Sequence, residues 1–149
     1  MAMAIYDAEN QILGRLSSVI AKRLLGGESV VVVNAAKAVV SGKPSVKKGE
    51  YLVKVQRGDP YKGPFFPKTP DGILRRAVRG MLPWHKSRGR EAFRRLRVFA
   101  GVPEEIDGKK FDVQEQKMEK VKVADASKLK AKGLALGELA VSLGAKKRW

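Results

Sequence analysis

Ten cations lie between Lys68 and Arg97, eight of them arginines, and only Asp71 and Glu91 oppose them in that window. A guanidinium is planar and permanently charged, and its donors form a fork that grips two phosphate oxygens at once; it also stacks on bases. Such a window suits folded RNA better than a diffuse cloud of counterions. At its centre "PWHKSRG" sets Trp84, His85, Lys86 and Arg88 close together. The two ring side chains fit stacking on unpaired bases, with Lys86 and Arg88 on adjacent phosphates. Trp84 fits an ordinary core position equally well. The candidate contacts are therefore Arg75, Arg76, Arg79, Trp84, His85, Lys86, Arg88, Arg90, Arg94 and Arg95. Lys43, Lys47, Lys48 and Lys62, from the basic segments upstream, complete the set.

Catalytic chemistry finds little support. His85 is the single histidine and stands among Lys86, Arg88 and Arg90, which disfavour the imidazolium a general base must become. Cysteine is absent, so there is no thiolate nucleophile and no zinc-finger ligand set. "SGKPS" fails as a phosphate loop, because Lys37 stands where the first glycine is needed and Pro44 fills the Ser/Thr position. No G-x-G-x-x-G follows either early strand, so a dinucleotide site is unsupported. The expectation is a protein that is not an enzyme, with no metal, no cofactor and no small-molecule substrate.

Composition points the same way. Thirty-one Lys and Arg face 15 Asp and Glu, for a formal charge of +16 and a pI near 10.3. A compact state with that excess repels itself, and a polyanionic partner neutralises it. The 149 residues, 44% of them hydrophobic, suit one domain over 1–149 with a real core. "MAMAIYDAEN" has neither the charged region nor the apolar run of a signal peptide, and no apolar stretch is long enough for a membrane span. A cytoplasmic protein is expected.

The elements that must hold these cations follow from periodicity. "AIYDA", then "NQILGRLSSVIAKRLLGG", then "SVVVVN" read as strand, helix and strand. Leu13, Leu16, Ile20 and Leu24 share one helical face opposite Arg15 and Lys22, and Gly26 and Gly27 stop the helix. Four consecutive valines mark a strand covered on both sides, and a second short apolar run, "AVVSG", follows. "KPSVKKGEYLVKVQRG" is ambiguous: Tyr51, Val53 and Val55 alternate as in a strand, whereas its length and Pro44 suit a helix. The proline-rich 59–70 segment, with Tyr61, Phe65 and Phe66, must be an extended loop whose rings stack on RNA, on a neighbouring protein or on their own domain.

Next, Ile73, Leu74, Ala77, Val78 and Met81 line one helical face and Arg75, Arg76 and Arg79 the other. Met81 and Leu82 are expected to anchor the core. Pro83 ends this helix and Gly89 permits a turn before a second, where Ala92, Phe93 and Leu96 oppose Arg90, Arg94 and Arg97. "RVFAG" reads as a strand. Residues 102–127 form an acidic-leaning loop with a short strand at "EKVKVAD", and "LALGELAVSLG" is a small amphipathic helix. Alternating strands and helices give an α/β layered fold.

"AVRGMLPWHKSRGREAFRRLRVFAG", with "ILGRLSS" and "VVVVNAAKAVVSGK" upstream, resembles the large-subunit ribosomal protein L-thirteen family over nearly the whole chain. "PFFPKTPDGI" and "LGELAVSLGAKKRW" resemble its archaeal branch; contacts made by the N-terminal extension of bacterial members are not carried over. The motif covers Arg79, Gly80, Met81, Leu82, Pro83, Gly89, Arg90, Phe93 and Gly101, but not Trp84 or His85. The resemblance implies a three-layer α/β/α domain with a mostly parallel, Rossmann-like central sheet of about four strands, and a helix across the ambiguous segment. It also implies a ribosome-bound protein that contacts large-subunit ribosomal RNA and neighbouring large-subunit proteins, helps assembly early, and has no catalytic role. An off-ribosome RNA-binding regulator of translation would share the same chemistry.

Overall fold

In the computed structural model, which describes residues 3–106, 109–110, 118–129 and 133–149, the arginine-rich window is carried by two helices packed beside a parallel sheet. Strand β1 (Met3–Asp7), helix α1 (Leu13–Leu25) and strand β2 (Ser29–Val33) form the expected β-α-β unit. β1 pairs in parallel with β2, Ala4 opposite Val30, and β2 pairs in parallel with β4 (Leu96–Val98), Val30 opposite Leu96. The sheet order is β1-β2-β4. Three strands therefore form the parallel sheet among the described residues; an isolated parallel bridge from Tyr6 to Glu119 extends it along the free side of β1. The mixed α/β architecture is compatible with a three-layer arrangement.

The valine run is buried because both sheet faces are covered. Val30 and Val32 join Tyr6, Leu16, Ile20, Leu24, Ile73 and Leu74 in the main core. Val31 and Val33 lie on the other face with Ile5, Ile106, Phe99 and Met118. Burying a Val or Leu side chain contributes roughly 1.5–3 kcal/mol, so the apolar stripe of α1 supplies most of its hold on the sheet.

Beyond the sheet, a two-residue strand β3 (Val39–Val40) pairs antiparallel with a late strand at Leu134–Ala135, placing the C-terminal helix (Leu136–Ser142) beside a 3-10 turn at Ala35–Lys37. The ambiguous segment is helix α2 (Pro44–Gln56), with Pro44 in its first turn. Tyr51 and Val55, one turn apart, face inward, whereas Val53 is 51% exposed. Helix α3 (Pro70–Met81) and helix α4 (Ser87–Arg94) follow the 59–69 loop. This loop is not extended throughout as expected: Asp59 and Gly63 exchange backbone hydrogen bonds at 3.1 and 2.9 Å and close a tight turn over 60–62.

Several expectations need correction. Met81 is 44% exposed, so Leu82, buried in the core, is the anchor on its own. Gly89 lies inside α4 rather than in a turn before it. It is needed for space: a Cβ there would stand 2.1 Å from the Pro83 carbonyl oxygen. "EKVKVAD" makes only the Glu119 bridge before turning into a 3-10 helix at Lys122–Ala124, since Ala124 is drawn into the core against α1. Of the acidic residues in 102–127, Asp107, Asp112 and Glu115 lie outside the described residues.

Candidate nucleic-acid interface

Helix α3 supplies the first row of cations. Ile73, Leu74 and Val78 are buried, which turns Arg75, Arg76 and Arg79 outward. Each guanidinium lies over an aromatic ring. Cζ of Arg79 is 4.0 Å from the centroid of Trp84, Cζ of Arg75 is 4.9 Å from Phe93, and Cζ of Arg76 is 5.9 Å from Phe66. The rings are themselves braced: Trp84 meets Phe93 edge to face at 5.3 Å, and Phe66 meets Tyr51 of α2 at 5.9 Å. Lys54 Nζ stands 4.7 Å from the Tyr51 ring. Such contacts contribute about 0.5–1 kcal/mol each at exposed sites.

The turn after α3 is short and tied to the backbone. Trp84 N–H donates to Leu82 O at 2.8 Å and Lys86 N–H to Pro83 O at 3.0 Å. With Gly89 packed on Pro83, α4 is brought tightly against the turn. His85, Lys86, Arg90 and Arg94 are exposed along this stretch. Among the described residues, no carboxylate pairs with Arg75, Arg76, Arg79, Arg90 or Arg94. Among the described residues, these five guanidiniums stand without acidic partners on two helices anchored to one core.

Two arginines of the predicted set have a second task. Nη2 of Arg95 donates to Leu24 O at 2.8 Å, and Nη2 of Arg88 donates to Leu25 O at 3.3 Å. These carbonyls lie at the negative end of the α1 dipole; Leu24 O also accepts from Gly27 N–H at 3.2 Å, so Arg95 adds a second, charged donor there. Sequence reading missed this because the donors lie more than 60 residues from their acceptors.

The upstream lysines are distributed differently. Lys47 is engaged by Glu50 at 2.8 Å, and Lys43 and Lys62 are exposed. Lys48 lines another feature, a cavity of about 640 Å³ shared with Lys37, Ala100, Gly137, Lys147 and Trp149. The C-terminal Trp149 is half-buried against the core there, which its place in a basic tail did not signal. Of the loop rings, Phe66 is absorbed into the Tyr51 contact, whereas Tyr61 is 92% and Phe65 69% exposed.

Among the described residues, no helix is long and apolar enough to cross a membrane, and no group of three His, Asp or Glu side chains could hold a metal ion.

Fold and face together define a mixed α/β domain that presents a row of guanidiniums with no acidic partner among the described residues. A family model described as Ribosomal protein L13 matches residues 2–105, and the chain belongs to that family. It is similar to "Large ribosomal subunit protein uL13" of Methanopyrus kandleri, 50% identical over 143 residues covering 94% of this chain and 86% of the relative. The protein of the same name from Archaeoglobus fulgidus is 55% identical over 122 residues, covering 81% of this chain and 78% of the relative. That from Haloarcula marismortui is 40% identical over 149 residues, covering 99% and 95%.

Proposed function

We propose that the protein is a structural, non-catalytic constituent of the large ribosomal subunit, acting as one domain over residues 1–149. It binds large-subunit ribosomal RNA through the face built by α3, the 82–86 turn and α4, and supports subunit assembly at an early stage. Neighbouring large-subunit proteins are its other partners, and its place is on the ribosome in the cytoplasm. The observation that carries this reading is the set of five arginines on α3 and α4 that have no acidic partner among the described residues, in a chain of the L13 family.

The test is binding of the full chain to its own large-subunit ribosomal RNA across a salt series, with excess unrelated structured RNA present. Tight binding that survives the competitor supports the reading. If about ten cations contact phosphates, log Kd should change with log salt at a slope of about 7–9 in magnitude. A slope near 2, or loss of all binding to the competitor, sinks it. Changing Arg90 and Arg94 together to Ala should weaken binding far more than it lowers Tm. Sedimentation of lysate separates the ribosomal role from an off-ribosome one: the protein should travel with large subunits rather than stay free.

A further inference from the structure

We propose that Trp84, Phe93 and Phe66 are positioning residues for Arg79, Arg75 and Arg76, and that the α3 face reads backbone phosphates rather than unpaired bases. This rests on the RNA-binding reading above and deepens it. An arginine-rich surface interleaved with aromatic rings has two modes. In one, the rings are platforms for bases and the cations follow the strand. In the other, the rings hold the cations and the RNA meets guanidinium edges alone.

Three observations choose the second mode. Each of the three rings has a guanidinium of the protein itself over it, closest at Trp84, where 4.0 Å leaves no room for a base between them. Each ring is also braced by a second ring, Trp84 on Phe93 at 87° and Phe66 on Tyr51 at 69°. Finally, Arg76, Arg79 and Trp84 line two open hollows at once, of about 440 and 320 Å³. A guanidinium held over a ring carries five N–H donors in a fork, and those not turned to the ring remain for phosphate oxygens. A long, flexible arginine held this way has lost rotamer freedom before the RNA arrives, so binding costs less entropy. Nothing in this arrangement distinguishes one base from another.

The test is a double-mutant cycle on affinity for large-subunit ribosomal RNA at fixed salt, using Arg79→Ala, Trp84→Leu and the pair. Trp84→Leu should weaken binding roughly twofold to fivefold, the size of a lost cation–ring contact at an exposed site. In the Arg79→Ala background the same change should have no further effect, because Trp84 acts through Arg79. Equal weakening in both backgrounds would show Trp84 touching RNA itself and overturn the inference, as would a Trp84→Leu protein that binds like wild type. Trp84→Phe, which keeps a ring beneath the guanidinium, should stay close to wild type. If Trp84→Leu melts early, Phe93→Leu against Arg75→Ala forms a second cycle with the same two outcomes. A fully paired RNA should compete at least as well as its separated strands; a strong preference for the single strand overturns the phosphate reading. Failure of the wild-type chain to bind any ribosomal RNA would instead remove the reading on which this one stands.

Discussion

At the scale of single residues, two glycines show how tightly the turn between α3 and α4 is set. Gly89 has a carbonyl where a Cβ would go. Gly89→Ala should therefore cost about 2–4 kcal/mol through forced displacement of the Pro83 turn, read as a lower Tm. Gly80 is the control, a helical glycine whose Cβ would meet nothing within 4 Å. Gly80→Ala should be neutral or gain up to about 1 kcal/mol. Asp7, buried at the end of β1, accepts from Asn34 Nδ2 and Glu9 N–H at 3.0 Å each and pairs with Lys120 at 3.2 Å. Burial pushes its carboxyl up, but the Asn34, Glu9 and Lys120 contacts outweigh burial and hold it below the usual value. A lowered folded pKa stabilises the fold above the unfolded value, near pH 4, and that stability is lost as pH falls through the folded value. Asp7→Asn should flatten the acid limb of a stability–pH curve and cost about 1–2 kcal/mol at pH 7.

At the scale of elements, α1 and α4 are joined by charge as well as by packing. Arg95 closes α1 from a distance, whereas Arg94, next to it in sequence, is exposed. Arg95→Ala should lower stability by about 1–3 kcal/mol, the range for a hydrogen bond from a charged group to a partly buried carbonyl. Arg94→Ala should leave Tm nearly unchanged and weaken RNA binding. If Arg95→Ala melts like wild type, its guanidinium does not cap α1. This difference between neighbours was not legible in the sequence, where both read as members of one basic row. The helical stripe of Leu13, Leu16, Ile20 and Leu24 was legible because four regularly spaced apolar residues admit one period. Residues 51–55 were not, because inward positions at 51 and 55 satisfy periods of both two and four. The rings beneath the α3 arginines were visible as residue types, but only the fold brings Phe66 and Phe93, far apart in sequence, to arginines of one helix.

At the scale of the whole molecule, the +16 charge acts with opposite sign on folding and on binding. Salt screens the self-repulsion of the free protein over a Debye length of roughly 8 Å at physiological strength. Raising salt from low values should therefore raise the Tm of the free chain while it weakens the RNA complex. A Tm that falls over the same range would mean that ion pairs such as Arg23 with Glu28 and Glu119, rather than net repulsion, dominate the surface. This charge is the ground on which an RNA partner is proposed, and the family was legible from the L13-type motif. The division of labour among the arginines was not, because it depends on contacts between residues far apart in the chain.

Helix α2 buries none of its thirteen residues completely. It rests on the domain through the half-buried Lys47, Tyr51 and Val55, and through the contact of Tyr51 with Phe66. A segment held so lightly opens without waiting for the core. Its amides should exchange with solvent on the order of a hundredfold faster than those of α1 and β2 in the free protein, and slow markedly in the RNA complex. On the proposed function, that order of protection would make α2 the last element to set: the sheet and α3 would meet the RNA already formed, and α2 would tighten only once the complex exists.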